Sequence, residues 1–133
     1  MTRAFFDTNI LIYCFTDQDS RQQRALELLD DGGVISVQCL NEFAAVCRRK
    51  MRMDWIQLAA ALEEVRRLCE PVVSIDLGTH LLGMEVARDL RLSVYDGMIA
   101  AAALAAACDT LYSEDMHHGL RIDGRLTVVN PFL

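Results

Sequence analysis

The sequence alternates short apolar segments with longer stretches that have helical periodicity, and this alternation limits its fold more than any other feature. Strands separated by helices predict a parallel sheet with helices on both faces. Pro71 opens one of the apolar segments and favours an edge position for that strand, because proline lacks the backbone N–H that a central strand needs. We therefore predict an α/β fold with a central, mostly parallel sheet of about five strands. The predicted strands are Ala4–Phe6, Val34–Ser36, Pro71–Ile75, Thr110–Tyr112 and Thr127–Val129.

Helices are predicted in the stretches between these strands, where apolar residues recur three and four positions apart. Leu81, Met84 and Ala87 share one side of the helix over 77–90. An Ala-rich helix that begins at Ser93 or Asp96 is apolar almost all round, which predicts that it is buried. The predicted helices are Ile10–Phe15, Ser20–Asp31, Val37–Lys50, Trp55–Cys69, Leu77–Leu90 and the Ala-rich helix that ends near Ala107.

Length and charge limit the domain organisation and the class of partner. A chain of 133 residues with a hydrophobic fraction of 53% predicts one folded domain over residues 1–133. Its net charge of −6 argues against nonspecific coating of DNA, which needs a broad basic face. A nucleic-acid enzyme with a local basic patch remains possible. The candidates for RNA contact are Arg48, Arg49, Lys50 and Arg52, although cations also suit the C-terminal end of a helix.

The sequence predicts a cytoplasmic protein that is not associated with a membrane. The longest apolar run, Met98–Cys108, is shorter than the ~20 residues that cross a bilayer. At the N-terminus, Asp7 and Asn9 interrupt the apolar segment that a signal peptide would need.

The cysteines predict neither a zinc site nor a disulfide framework. They are odd in number and scattered, and no C-x-x-C pair occurs among them. We expect them to act as small core residues in a reducing compartment. They are Cys14, Cys39, Cys47, Cys69 and Cys108.

Four acidic residues follow strands or begin helices in positions that a parallel sheet brings together. Asp7 directly follows the first strand, Glu42 lies early in the helix after the second, and Asp115 follows the fourth. Asp96 lies in the first turn of the buried helix and joins them if that helix points its N-terminus the same way. Each has an ordinary explanation alone, as a helix N-terminal, turn or solvated residue. Together, however, they are predicted to meet at the carboxyl edge of the sheet, and we call them the acidic quartet.

Converging carboxylates need neutralisation, which predicts a divalent cation. Two like charges 4 Å apart repel by roughly 4 kcal/mol at an effective dielectric of 20. The single lysine, Lys50, lies at the far end of its helix and is poorly placed to neutralise them. Oxygen ligands without Cys or His favour Mg²⁺, with Mn²⁺ as an alternative. Two such ions would balance four carboxylates, and this arrangement suits in-line hydrolysis of a phosphodiester.

Five short segments occur in order along essentially the whole chain: Phe6–Asn9, Gln38–Phe43, Tyr95–Ala102, Leu111–Met116 and Asn130–Phe132. Together they resemble the PIN-domain family, and within it the VapC-type toxins. The resemblance implies a PIN-like α/β fold and a Mg²⁺-dependent endoribonuclease. It also implies that the chain is the toxin of a type II toxin–antitoxin pair, with a homodimeric state and a cognate antitoxin whose tail blocks the cleft.

The same resemblance assigns roles to individual residues. It implies that the acidic quartet is catalytic and binds the metal, with Asp7 and Asp96 as the principal ligands. It implies that Asn9 and Ser113 orient those carboxylates by hydrogen bonds. The chain departs from many relatives after the quartet's last member, where they have a second acid and a phenylalanine.

The residues at that departure are His117 and His118. We expect both histidines on the surface, with substrate contact as the alternative. The departure also leaves open whether Glu114 shares the fourth acidic role with Asp115.

The predicted reaction is attack of a metal-activated water on an RNA phosphodiester, leaving 5′-phosphate and 3′-hydroxyl ends. A loop of tRNA or rRNA is a plausible target, since specific RNA recognition favours unstacked bases; an mRNA is also possible. Two alternatives keep the fold: a nuclease without a toxin role, and a catalytically silent module that binds RNA or protein. A phosphotransfer receiver domain and a haloacid-dehalogenase-type phosphatase fit poorly, because no lysine follows Lys50 and Asn9 stands where the phosphatase needs an aspartate.

Overall fold

The computed structural model describes residues 2–16 and 19–133, which fold as helices packed around a sheet of short strands. Every predicted strand is present: two have the predicted bounds, two are shorter, and the last begins one residue earlier than predicted. One further strand forms near the C-terminus. The strands are β1 (Ala4–Phe6), β2 (Ile35–Ser36), β3 (Val72–Val73), β4 (Thr110–Tyr112), β5 (Arg121–Ile122) and β6 (Leu126–Val129).

The strands pair in parallel except for β5, which lies antiparallel at one edge. A four-stranded sheet has the order β1-β4-β6-β5, and β2 pairs in parallel with β3. A parallel bridge between Phe5 and Val34 joins the two parts, with Phe6 N donating to Val34 O at 3.0 Å. The prediction of an α/β fold with a mostly parallel sheet is confirmed, and β3 lies at an edge as Pro71 indicates.

The strand β5 was not predicted, and it is the antiparallel member of the sheet. It is two residues long and begins with an exposed arginine, so it lacks an apolar segment that would reveal it. A tight turn forms it, in which Asp123 and Gly124 have φ values of 55° and 65°. Glycine adopts this left-handed conformation readily, which stabilises the return of the chain into β6.

The helices agree with the predicted ranges to within two residues. Asp54 and Asp76 cap the helices that follow them, since their carboxylates accept from Gln57 N at 2.7 Å and Thr79 N at 2.8 Å. Within residues 2–16 and 19–133, none of the helices is long and apolar enough to cross a membrane. The helices are α1 (Thr8–Tyr13), α2 (Asp19–Asp30), α3 (Val37–Arg49), α4 (Trp55–Leu68), α5 (Leu77–Leu90) and α6 (Val94–Ala105).

The core lies between the sheet and the inner faces of the helices. Helix α6 is buried from Gly97 to Leu104, as its apolar composition predicts. Phe5, Phe6 and Phe43 are among the largest fully buried side chains. All five cysteines are buried without disulfide bonds, which confirms their assignment to the core.

Helices α5 and α6 pack unusually closely because glycines lie at their contact. A Cβ atom on Gly97 would lie 2.4 Å from the carbonyl oxygen of Gly83 and 2.8 Å from the Cβ of Ala87. Ala87 is therefore buried against α6. Leu81 and Met84, which share its side in the sequence pattern, remain exposed to 56% and 43%.

Candidate active site

Asp7 lies directly after β1, where the strand meets α1. Its Oδ1 accepts from the backbone N–H of Thr8 at 2.7 Å, and so caps α1. Its Oδ2 accepts from Ser113 Oγ at 2.7 Å and from Asn9 Nδ2 at 3.4 Å. The carboxylate is buried, so these donors replace the water that it has lost.

Glu42 reaches the same region from the second turn of α3. Buried Ser36 caps this helix by accepting from Cys39 N at 3.4 Å, which fixes where α3 begins after β2. Glu42 Oε2 accepts from Gln38 Nε2 at 3.2 Å and from Thr8 Oγ1 at 3.4 Å. Thr8 is hydrogen-bonded to both Asp7 and Glu42, so it links β1 to α3.

Asp96 lies in the first turn of α6 and is half-buried. Ser93 caps that helix and accepts from the backbone N–H of Asp96 at 3.1 Å. The charge of Asp96 acts on the ionisation of Asp7, so the N-terminus of α6 lies near the end of β1. A carboxylate in the first turn also lies in the favourable field of the helix dipole.

Asp115 completes the group from the loop after β4 and is its most exposed member. Its Oδ2 accepts from Asn9 Nδ2 at 3.0 Å, and the same nitrogen contacts Asp7. Asn9 therefore lies between two of the carboxylates. Ser113 also accepts from Met116 N at 3.2 Å, which closes the loop around Asp115.

The acidic side chains disturb one another's ionisation. Burial raises the pKa of Asp7 from its usual 3.8 to about 7; the charges of Asp96 and Asp115 add to this rise, and hydrogen bonds from Ser113 and Thr8 reduce it. Burial, followed by the charges of Asp96 and Asp115, raises the pKa of Glu42, although Gln38 opposes this. Burial and the charge of Asp115 raise the pKa of Asp96.

Carboxylates that raise one another's pKa values need a positive charge to remain ionised together. In the part of the chain that the structure describes, no basic side chain is among the groups that set these pKa values. Within the same residues, no three His, Cys, Asp or Glu side chains are close enough to hold one ion as they stand. The donor set itself, four carboxylates reinforced by hydroxyl and amide groups, fits a hard cation such as Mg²⁺ or Mn²⁺. Binding of the ion would draw these carboxylates together.

Two residues that contact the acidic quartet are not predicted from the sequence. Gln38 lies four positions before Glu42 on one helix face, a spacing that brings side chains together and could have indicated the contact. Thr8 offered no comparable signal, because its contact with Glu42 depends on how α1 packs against α3.

Glu114 is placed apart from the other acids. Its Oε1 accepts from Tyr13 Oη at 2.9 Å, and its carboxylate forms an ion pair with Arg21. His117 and His118 are both exposed, and His118 Nδ1 accepts from Asn130 N at 3.0 Å. The histidines therefore lie on the surface, as predicted.

The basic residues predicted to contact RNA lie at the far end of α3 from Glu42. Arg48 donates to Met53 O at 2.8 Å and lies 4.2 Å from the centre of the Trp55 ring, so its guanidinium is engaged within the protein. Arg49, Lys50 and Arg52 are exposed. Lys50 is the C-terminal cap of α3, where a cation suits the helix dipole.

Several solved structures that resemble this chain are of toxins or toxin–antitoxin complexes. The chain is similar to a toxin–antitoxin complex from Klebsiella pneumoniae, with 21% identity, a TM-score of 0.73, and 96% of this chain and 97% of that one covered. It is also similar to VapBC2 from Rickettsia felis bound to a promoter DNA fragment, with 23% identity, a TM-score of 0.69 and the same coverage. A third is Mycobacterium tuberculosis VapC20, a toxin that cleaves the sarcin–ricin loop, with 21% identity, a TM-score of 0.67, and coverage of 84% and 89%.

At these identities the structures show a shared fold, and the sequence itself identifies the family. No curated protein matches the chain. A sequence model of the PIN domain matches residues 4–119, which include the acidic quartet. With the parallel sheet and the carboxylates at its edge, this match establishes that the chain belongs to the PIN domain family.

Proposed function

We propose that the protein is the toxin of a type II toxin–antitoxin pair and hydrolyses RNA with a divalent cation held by the acidic quartet. The observation that carries the proposal is the gathering of carboxylates at one sheet edge. Asn9 Nδ2 donates to both Asp7 and Asp115. Burial, and then the charge of Asp96, raises the pKa values of Asp7 and Glu42. Such strongly perturbed groups at one sheet edge are typical of functional sites. The similarity to toxin–antitoxin structures supports the biological role.

Each side chain has a distinct part in the proposed reaction. A bound Mg²⁺ or Mn²⁺ would neutralise the carboxylates and supply an activated water for in-line attack. Asp7 and Asp96 are the principal candidates to hold it, because both come from the ends of rigid elements. Ser113 and Asn9 keep the carboxylate of Asp7 in one orientation through their hydrogen bonds.

The RNA is proposed to run from the acidic quartet along α3 towards its basic end. Arg49 lies seven positions after Glu42, on the same helix face and about 10 Å further along the axis. Its exposed guanidinium, with Lys50 and Arg52 beside it, offers contacts to phosphates next to the cleaved bond. Arg48 is a weaker candidate because Trp55 and Met53 already engage it.

We also propose a homodimer and an antitoxin partner, in the cytoplasm. Exposed apolar side chains support the dimer: Leu77, Leu81 and Met84 form a stripe on α5, and Val94 and Tyr95 lie at the start of α6. Apolar groups in such numbers on one helix pair are typical of a protein interface. The proposal of an antitoxin partner is supported by the similar solved structures, two of which are toxin–antitoxin complexes.

Cleavage of RNA by the purified protein tests the proposed activity. The wild-type chain, purified without a partner, is incubated with total RNA in Mg²⁺ or in EDTA, and the new RNA ends are sequenced. We expect cleavage in Mg²⁺ alone, with 5′-phosphate and 3′-hydroxyl ends. The matched control is Asp96→Asn, which preserves the shape of the side chain and should abolish cleavage while the circular dichroism spectrum is unchanged.

Two results would reject the metal-dependent mechanism. Ends carrying a 2′,3′-cyclic phosphate would mean that the ribose hydroxyl attacks instead of water, and full activity of Asp96→Asn would remove the quartet from the chemistry. A nuclease without a toxin role is the alternative on the same fold. It would cleave RNA in the same assay without arresting growth when expressed alone.

A further inference from the structure

Glu114 occupies a position between two residues of the site, yet its side chain is bound elsewhere. Ser113 before it donates to Asp7, and Asp115 after it accepts from Asn9. The carboxylate of Glu114 instead pairs with Arg21 of α2 and accepts from Tyr13 Oη at 2.9 Å. The middle residue of this three-residue segment is thus tied to α1 and α2.

Arg21 contacts two aromatic rings in addition to Glu114, and these contacts fix its position. Its guanidinium carbon lies 5.3 Å from the centre of the Tyr13 ring and 5.1 Å from that of Phe132. The two rings are themselves in contact, edge to face, with centres 5.0 Å apart. A planar guanidinium suits such a stacked, partly desolvated setting better than an ammonium does. The ion pair also neutralises Glu114, so that it does not add a fifth negative charge to the site.

The backbone of the same segment is connected to the acidic site. Glu114 N donates to Asn9 Oδ1 at 3.3 Å, and Asn9 Nδ2 donates to Asp115 Oδ2 at 3.0 Å. The segment 113–115 is therefore held on one side by Asp7 and Asn9 and on the other by Arg21 and Tyr13. Loss of the second attachment should therefore free the loop after β4, which carries Asp115.

We propose that Arg21, Tyr13 and Glu114 form an anchor that positions Asp115 and Ser113, so that Glu114 is a positioning residue and not a metal ligand. The proposal rests on the proposed function for its link to catalysis. Its structural part, the attachment of the loop to α2, stands without that link. Carboxylates that hold a cation need fixed neighbours, and an ion pair to a separate helix supplies one.

The test compares Arg21→Met, Glu114→Gln and their double variant with a control on the same helix. Arg24→Met is matched, because Arg24 also carries a positive charge on α2 and contacts the C-terminal segment through Pro131 O at 3.4 Å. Three quantities are measured: kcat and KM for RNA, the affinity for Mn²⁺ alone by calorimetry, and amide hydrogen exchange of residues 113–116.

We expect both single variants to lower kcat and Mn²⁺ affinity by roughly tenfold, the size of effect typical of groups that orient ligands. KM for RNA should stay within about twofold, and exchange at 113–116 should accelerate. The double variant should be no worse than either single one, because both remove the same contact. Arg24→Met should match the wild type in all three measurements.

Two outcomes would overturn the anchor. If Glu114→Gln weakens Mn²⁺ binding and Arg21→Met does not, Glu114 is itself a ligand. If neither variant changes kcat, Mn²⁺ affinity or exchange by more than about twofold, or if Arg24→Met has the same effects, the ion pair does not position the loop. Should the wild type cleave no RNA, the proposed function fails, while hydrogen exchange still decides whether Arg21 holds the segment.

Discussion

Ser113 Oγ donates a hydrogen bond of 2.7 Å to Oδ2 of Asp7, and both side chains are buried although they stand 106 positions apart in the chain. The bond crosses between the neighbouring parallel strands β1 and β4 at the point where each ends. It opposes the rise in the pKa of Asp7 that burial causes. Ser113 thus helps to keep this carboxylate charged and oriented.

Removal of that hydroxyl should affect both stability and activity. Ser113→Ala leaves a buried carboxylate oxygen without its short hydrogen bond, which costs about 1–3 kcal/mol. The pKa of Asp7 should rise further, and RNA cleavage should fall roughly 10- to 100-fold. Denaturant unfolding and single-turnover cleavage measure the two effects.

The matched control for Ser113 is Thr110→Val, which removes a hydroxyl from the other end of β4. That hydroxyl donates to Asp109 at 3.2 Å, away from the acidic site. Its loss should leave the cleavage rate unchanged. Equal losses of activity in the two variants would mean that Ser113 acts through the stability of the strand alone.

The metal-free protein should lose stability as the pH rises. The folded-state pKa of Asp7, about 7, exceeds its usual 3.8, so the folded protein holds a proton that the unfolded chain has released. Its contribution to stability is therefore fully present below about pH 4 and is lost as the pH rises to about 7. The shifts of Glu42 and Asp96 have the same direction. Urea unfolding in EDTA at a series of pH values measures the slope.

Two comparisons separate the contribution of the acidic quartet to this pH dependence from that of the other titratable groups. Asp7→Asn, which cannot ionise, should flatten the pH dependence and stabilise the metal-free protein above pH 7. Added Mg²⁺ should stabilise the wild type more at pH 8 than at pH 5, because the metal needs ionised ligands. An identical slope in the wild type and Asp7→Asn would contradict the raised pKa.

A methyl group at the α5–α6 contact should displace α6 and with it Asp96 of the acidic quartet. In Gly97→Ala the new Cβ would lie 2.4 Å from Gly83 O, so the helices must separate, at a cost of about 1–3 kcal/mol. Because Gly97 follows Asp96, cleavage should fall even where the variant is folded. Gly78→Ala is the control, since its Cβ would meet only Asp76 Oδ1 at 3.5 Å. A drop in melting temperature for Gly78→Ala as large as for Gly97→Ala would refute the packing argument.

The basic end of α3 can be tested by the salt dependence of RNA binding. Arg49→Ala with Lys50→Ala, in an Asp96→Asn background that prevents cleavage, should weaken binding and lower the slope of log K against log salt by about 0.7 per lost phosphate contact. Fluorescence anisotropy at several salt concentrations measures both. The control pair Arg66→Ala and Arg67→Ala removes the same charge from α4. Binding that is insensitive to the α3 pair would remove this end of the helix from the RNA path.

The proposed dimer depends on the exposed stripe of α5. Leu81→Arg places a charge within it and should convert the dimer to a monomer, as measured by light scattering across a concentration series. Ile56→Arg is the control, because Ile56 on α4 is 83% exposed and lies outside the stripe. A wild-type protein that remains monomeric at all concentrations would rule out this interface.

Much of the fold is predictable because local chemistry and global packing agree in this chain. Asp54 and Asp76 accept hydrogen bonds from the first turns of α4 and α5, an interaction typical of aspartate immediately before a helix. The parallel order of the strands then places the residue after each strand at one edge, which is why the sequence alone makes Asp7 and Asp115 candidates.

The remaining features depend on packing that periodicity does not describe. Leu81 and Met84 share a side with Ala87, but Gly83 and Ala87 are the residues of α5 at the contact with α6, and both larger side chains remain exposed. The partner of Glu114 is Arg21, whose position depends on how α2 packs against the rings of Tyr13 and Phe132. Neither the exposed face of α5 nor the pairing of Glu114 with Arg21 can be predicted from the spacing of residues along the chain.

The pairing of β1 with β4 also determines when the site can form during protein synthesis. Asp7 leaves the ribosome early, but Ser113 is translated 106 residues later. Until β4 has emerged, β1 lacks its neighbour and the carboxylates have no common edge. If the protein cleaves RNA as proposed, the ribosome and messenger that produce it are therefore exposed to an assembled enzyme only after nearly all of the domain has been made.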